Sequence, residues 1–191
     1  MTLQEIQETL KILDSLDIEE CLGLMQERIQ PKLTDIEIEL LQSCGMVTSE
    51  NIYARMSVPP FPKSAMDGYA VCAEDIEEAS HDTPVILKVQ GEMLAGDYKE
   101  FPYHKNTAVR VMTGAMIPQG FDAVVRQEDT DYGETQVQIY ASVRPYMNYC
   151  KAGEDIRKGQ LLVAKDTRIE PVHIGLLASV GIDKVRVYEP V

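Results

Sequence analysis

Four glycine-bearing loops hold the side chains of this 191-residue chain that could do chemistry. The first runs Pro59-Pro60-Phe61-Pro62-Lys63-Ser64-Ala65-Met66-Asp67-Gly68. Its prolines restrict the entry conformation at low entropic cost, so a tight turn at Asp67-Gly68 can present a carboxylate in a fixed place. A plain Asp-Gly turn between two strands fits the same residues. The second loop, Gly91 to Asp97, bends at its glycines and reads best as a structural loop. In the third, Val109 to Gly120, a strand ends at Met112, and Thr113-Gly114 offers a hydroxyl and approachable backbone amides at its tip. Such a tip suits an anionic or polar ligand, although a threonine can equally satisfy its own backbone in a turn. The fourth, Lys151 to Ile156, carries Glu154 and Asp155 ahead of the next strand and by itself is a surface turn. No nucleophile–base pair, phosphate-cradling loop or dinucleotide fingerprint accompanies them.

Composition narrows the partners. A net charge of −13 argues against nucleic acid, whose phosphate backbone needs a basic footprint. The acidic run Glu74 to Glu78 reads as a solvated loop or helix start. Cys21, Cys44, Cys72 and Cys150 form no C-x-x-C pair, and His81, His104 and His173 are equally dispersed, so neither zinc nor iron–sulfur ligation is indicated. The cysteines are expected to be reduced and mostly buried as small apolar residues. No apolar run approaches the ~18 residues that span a bilayer. Glu5 and Glu8 stand where a secretory signal would be basic, so a cytoplasmic location is expected, with no membrane partner.

Periodicity supplies the elements that must position these loops. Leu3, Ile6, Leu10 and Leu13 predict an N-terminal amphipathic helix, and a further helix is expected between Ile18 and Gln30. Thr34 with Glu37 three residues later forms a capping-box pattern, predicting a helix from Asp35 to Cys44 that Gly45 terminates. Val47 to Arg55 reads as extended. Beyond the prolines, Tyr69–Cys72, Val85–Val89, Ala108–Met112, Ala123–Arg126 and Gln136–Tyr140 are short strands punctuated by turn residues. Leu161–Val163 and Lys184–Tyr188 are strands flanking a helix that Pro171 opens and Gly181 closes. The predicted fold class is α+β. A discontinuous mixed first domain (residues 1–55 with 147–191) carries an inserted β-rich second domain (residues 56–146).

The four loops, in this order, resemble the molybdopterin molybdenumtransferase family, known as MoeA in bacteria and as the E domain of gephyrin in animals. The likeness is carried by Val58 to Ala70, by AVRVMTGAMIPQGFDAVVRQED from Ala108 to Asp129, by GEDIRK from Gly153 to Lys158, and by Ile174 to Val187. It covers about Thr34 to Val191. Two departures stand out: Cys150 where many members carry arginine, and Asn106 where a glycine is common.

The resemblance implies a reaction in which molybdate is inserted into adenylylated molybdopterin with release of AMP, supported by a divalent cation such as Mg²⁺. It implies homodimers of four-domain subunits, with a cleft between these two domains and the third domain of the other subunit. At that cleft the family pattern places Asp67, Thr113 and Asp155 as catalytic residues and Ser64, Gly114 and Glu154 as substrate-binding ones, with no metal ligand assigned. A longer protein continuing past Val191 is expected, and this portion alone is expected to be inactive. The competing reading is a non-catalytic dimerisation or scaffold module of the same fold; retention of Asp67, Thr113 and Asp155 favours the enzyme. Both substrates are anions, and unit charges at 4 Å interact by about 4 kcal/mol at an effective dielectric of 20. Asp67 and Asp155 are therefore expected to act through Mg²⁺ or through substrate protons.

Overall fold

The computed structural model describes residues 17–28 and 34–189. The helix predicted around Leu3 to Leu13 lies outside the described residues. The first described element is helix α1, Ile18–Arg28. Ile18, Leu22 and Met25 on it are all exposed.

The helix predicted for Asp35 to Cys44 is corrected. Asp35–Glu39 is strand β1, paired antiparallel with β11, Lys184–Tyr188. Ile36 and Ile38 alternate with acidic residues, so period two places both on the core side while Asp35, Glu37 and Glu39 face solvent. That alternation outweighs the capping-box spelling: Thr34 Oγ1 donates to Glu189 Oε2 (2.7 Å) instead of capping a helix. Only Leu40–Gln42 turns helically, as one 3₁₀ turn, and Gly45 then adopts a left-handed φ of 86° as expected. Strand β2 (Ile52–Tyr53) pairs with β10 (Leu161–Val163), and helix α2 spans Pro171–Ser179. Pro171 sits where no backbone donor is needed. One core joins these elements: Leu40, Ile52, Ile156, Val163, Leu177, Val185 and Val187 pack together, although residues before position 59 and after 155 supply them all.

The middle of the chain forms a five-stranded sheet. Its strands are β4 (Gly68–Val71), β5 (Val85–Met93), β6 (Thr107–Val111), β7 (Ala123–Arg126) and β8 (Gln136–Ile139), in the order β7-β4-β6-β5-β8. One face packs Tyr69, Val71, Leu87, Ala108, Val125 and Val137; the other packs Ala70, Met93, Val109, Val111 and Val124. Burial on both faces explains why β4, β6 and β7 read as nearly unbroken apolar runs. β5 runs parallel to β6, and a register shift between Val89 and Glu92 brings Glu92 opposite Arg110. Asn106, where the resembling family commonly has glycine, has φ 59°, a left-handed conformation in which asparagine substitutes for glycine at modest cost.

Cysteine burial is also corrected. All four cysteines are free, but Cys44 is exposed and Cys21, Cys72 and Cys150 are partly exposed, because each lies in a short helix, in a turn or at a strand end.

Candidate active site

The first loop is not a plain turn between paired strands. Strand β3 (Lys63–Ser64) pairs with β9 (Tyr149–Cys150) in a separate two-stranded ladder, while Gly68 opens β4 in the large sheet. Ala65 to Asp67 bridges the two, held where it leaves β3 by the Ala65 amide donating to Asn148 O (3.0 Å). Gly68 is required here. A Cβ on it would sit 1.9 Å from the Val125 carbonyl oxygen, so β7 can approach only a glycine.

Asp67 and Thr113 meet directly. The Thr113 backbone N–H and hydroxyl both donate to Asp67 Oδ1, at 2.7 and 2.6 Å. Two charge-assisted bonds on one oxygen fix the carboxylate and favour its ionised form. They hold the Asp67 carboxyl below its ordinary value of 3.8, the Thr113 hydroxyl contributing most, then its amide, with the Arg110 charge assisting. A carboxylate so depressed is a poor general base near neutrality. It is a fixed negative acceptor. Among the described residues, its Oδ2 receives no hydrogen bond.

Because the folded value is depressed, this pair contributes stability above the ordinary 3.8 that is lost as pH falls through the lower folded value. Thr113→Val removes the hydroxyl and is expected to return the Asp67 midpoint toward 3.8, so that the stability this ionisation contributes, and its loss in acid, both shrink. Carbon-detected NMR titration of the Asp67 carboxyl measures this, and an unmoved midpoint would refute it.

The third loop differs from the open-amide reading. The Gly114 amide donates to Ser64 O (2.9 Å) and the Ala115 amide to Met112 O (2.9 Å), while that of Thr113 is held by Asp67. The tip therefore offers no free run of amides to an anion. Gly114 turns the chain at φ 83°. Ser64 lies inward. It is 1% exposed, and its hydroxyl donates to Met66 O (2.5 Å), shaping the loop from within. The second loop lies alongside: Met93 O accepts from the Met112 amide (3.3 Å).

Asp155 stands in a neighbouring cluster rather than in contact with Asp67. The Asp155 and Gly153 amides donate to Val58 O and Pro59 O (3.0 and 2.9 Å), tying the fourth loop to the entry of the first. Both Glu154 and Asp155 are exposed, and Glu154 Oε2 accepts from the Lys151 amide (2.9 Å). Burial and then the Glu154 carboxylate push the Cys150 thiol up, while Lys63 opposes them. The structure thus joins Asp67 to Thr113 and links Asp155 to them through the Lys63–Cys150 strand pair. Neither of two cavities, about 840 and 570 Å³, is lined by Asp67, Thr113 or Asp155. Thr113 and Asp155 are exposed and Asp67 is half-buried.

No three His, Cys, Asp or Glu side chains among the described residues converge as metal ligands, and Asp67 Oδ1 already accepts two hydrogen bonds from Thr113. Sequence reasoning also passed over Arg110 and Glu92, whose charges pair across β6 and β5 with Nε–Oε1 at 3.5 Å. The available signal was a charged residue inside the otherwise apolar strand β6.

Comparison with known proteins places the chain in a family. Residues 16–181 match the profile of the MoeA N-terminal region (domain I and II). The chain belongs to the MoeA family. A molybdopterin molybdenumtransferase of Staphylococcus epidermidis is 38% identical over 164 residues, covering 86% of this chain and 39% of that protein. One of Haemophilus influenzae is 36% identical over 152 residues, covering 79% and 36%. The solved molybdopterin biosynthesis MoeA protein of Pyrococcus horikoshii superposes with a TM-score of 0.83 at 38% identity, covering 91% of this chain and 44% of that one. This MoeA chain therefore spans less than half the length of the relatives it matches, and its α+β fold is theirs.

Proposed function

We propose that this chain is the N-terminal portion of an enzyme that inserts molybdate into adenylylated molybdopterin and releases AMP. The observation that carries the reading is the double donation of Thr113 to Asp67 Oδ1, which leaves Oδ2 of the half-buried carboxylate without a hydrogen bond among the described residues. Such a carboxylate receives a hydrogen-bond donor of the substrate and orients it. In this reading Asp155 and Glu154, exposed on the fourth loop, serve the same cleft. Ser64 and Gly114 act indirectly, by shaping the two loops that carry Asp67 and Thr113.

An acidic cluster cannot hold two anions unaided. The anion-binding donors, and any Mg²⁺ ligands, belong to the remainder of a longer protein, in a homodimer whose second copy closes the cleft. The chain alone is then inactive. The test joins it to the C-terminal remainder of the S. epidermidis transferase and measures molybdate-dependent AMP release. Release by the joined protein and none by the chain alone is expected; AMP release by the chain alone would overturn the division of labour.

A further inference from the structure

Strand β7 is an outer strand of the five-stranded sheet, so the side it turns away from β4 needs hydrogen-bond partners of its own. Met147 and Asn148 supply them at Val124. The Val124 amide donates to Met147 O (3.1 Å), and Asn148 Nδ2 donates to Val124 O (3.0 Å). The carbonyl of the same asparagine accepts the Ala65 amide (3.0 Å). Just past β7, the Gln127 amide donates to Asp67 O (3.0 Å). The segment Ala65 to Asp67 is therefore pinned to β7 twice, at its start through Asn148 to Val124 and at its end at Gln127. On its other side, Ser64 and Asp67 hold the loop of Thr113 and Gly114. Asn148 is half-buried and has φ 54°, a left-handed conformation that asparagine tolerates, and its short side chain still carries a donor. Glycine would keep the turn and the carbonyl but lose the donor. Aspartate would keep the outline but, ionised, would set an acceptor against the Val124 carbonyl.

We propose that Asn148 is a positioning residue for Asp67: its side-chain amide fixes the Ala65 end of the loop to β7 and so sets where the carboxylate meets Thr113. This rests on the reading of Asp67 as the group that orients substrate. Asn148 acts only through the loop it anchors.

Asn148→Gly and Asn148→Asp are compared with the parent, in the isotope-labelled chain and in the joined protein. In the chain, the Thr113 amide resonance is expected to shift and the Asp67 midpoint to rise toward 3.8 as the Thr113 bonds loosen. In the joined protein, kcat for AMP release is expected to fall about tenfold in both variants with KM within about threefold, since misplacing an orienting group costs the reacting geometry more than binding. A role in packing alone would be rescued by aspartate, which has nearly the same shape. Val185→Ala, in the core shared by β1, β11 and α2, supplies the contrast. It should lower the melting temperature while the Asp67 midpoint and kcat stay at parent values. An unmoved Asp67 midpoint in both Asn148 variants, parent-like turnover in Asn148→Asp, or an equal midpoint shift in Val185→Ala overturns the proposal. Shifted midpoints with no AMP release from any joined protein would keep the positioning and remove the reaction. AMP release indifferent to both Asn148 variants would keep the reaction and remove the positioning.

Discussion

Gly68→Ala is expected to destabilise the chain by at least about 3 kcal/mol, lowering the melting temperature by roughly 6–12 °C for a domain of this size. The added Cβ would lie 1.9 Å from the Val125 carbonyl oxygen, 2.9 Å from its carbon and 3.1 Å from Arg126 Cα. All three are backbone atoms, so no rotamer change relieves the clash. Relief requires β7 to withdraw from β4, breaking the pairing of Gly68 to Val71 with Arg126 to Ala123. β4 is an interior strand of the sheet, so its other edge, against β6, feels the same shift. Asp67 adjoins the clash, and its bonds to Thr113 should loosen as well. Circular-dichroism melts measure the loss; a melting temperature within about 2 °C of the parent would contradict the close approach of β7. Gly175, whose Cβ would meet nothing within 4 Å and whose backbone is helical, is the contrasting position where alanine meets no clash.

In the joined protein, Asp67→Asn is expected to lower the rate of AMP release by about 10²–10³-fold, the range seen when one pre-organised polar group is removed from a reacting centre. Asparagine keeps the shape and an acceptor oxygen for Thr113, so the loop should survive. It removes the charge, and it presents either a donor or a neutral acceptor where Oδ2 stood. If Asp67 orients substrate, kcat falls more than binding does. Unchanged melting with lost turnover is the expected pattern, and unchanged turnover would remove Asp67 from the site.

Much of the β-rich region was legible because its chemistry is local. Ala123–Arg126 matches its prediction residue for residue, and the strands at positions 85, 107 and 136 differ only at their ends. Turn residues and unbroken apolar runs leave little else for such segments to be. Asp35–Glu39 failed because two local patterns compete there. Its partner, Lys184–Tyr188, lies almost 150 residues away, and the pairing decides. The cluster Asp67–Thr113 was legible only as an ordered set of loops, since neither residue alone signals a bond across 46 positions. The orientation of the Ser64 and Gly114 groups was not legible, because satisfaction of a hydroxyl or amide depends on which strand lies opposite. Arg110 was readable as a charge out of place in β6, but its pairing with Glu92 depends on the register shift in β5.

The account holds that this chain contributes one wall of a molybdenum-inserting site, with Asp67 held ready by Thr113. Its most direct test is a single-turnover comparison of the joined protein with and without Asp67→Asn, each given adenylylated molybdopterin before molybdate is added. The account predicts a burst of AMP on molybdate addition from the parent, and at most a slow release from the variant. Equal bursts from both, with Thr113 amide shifts showing the loop intact, would contradict it.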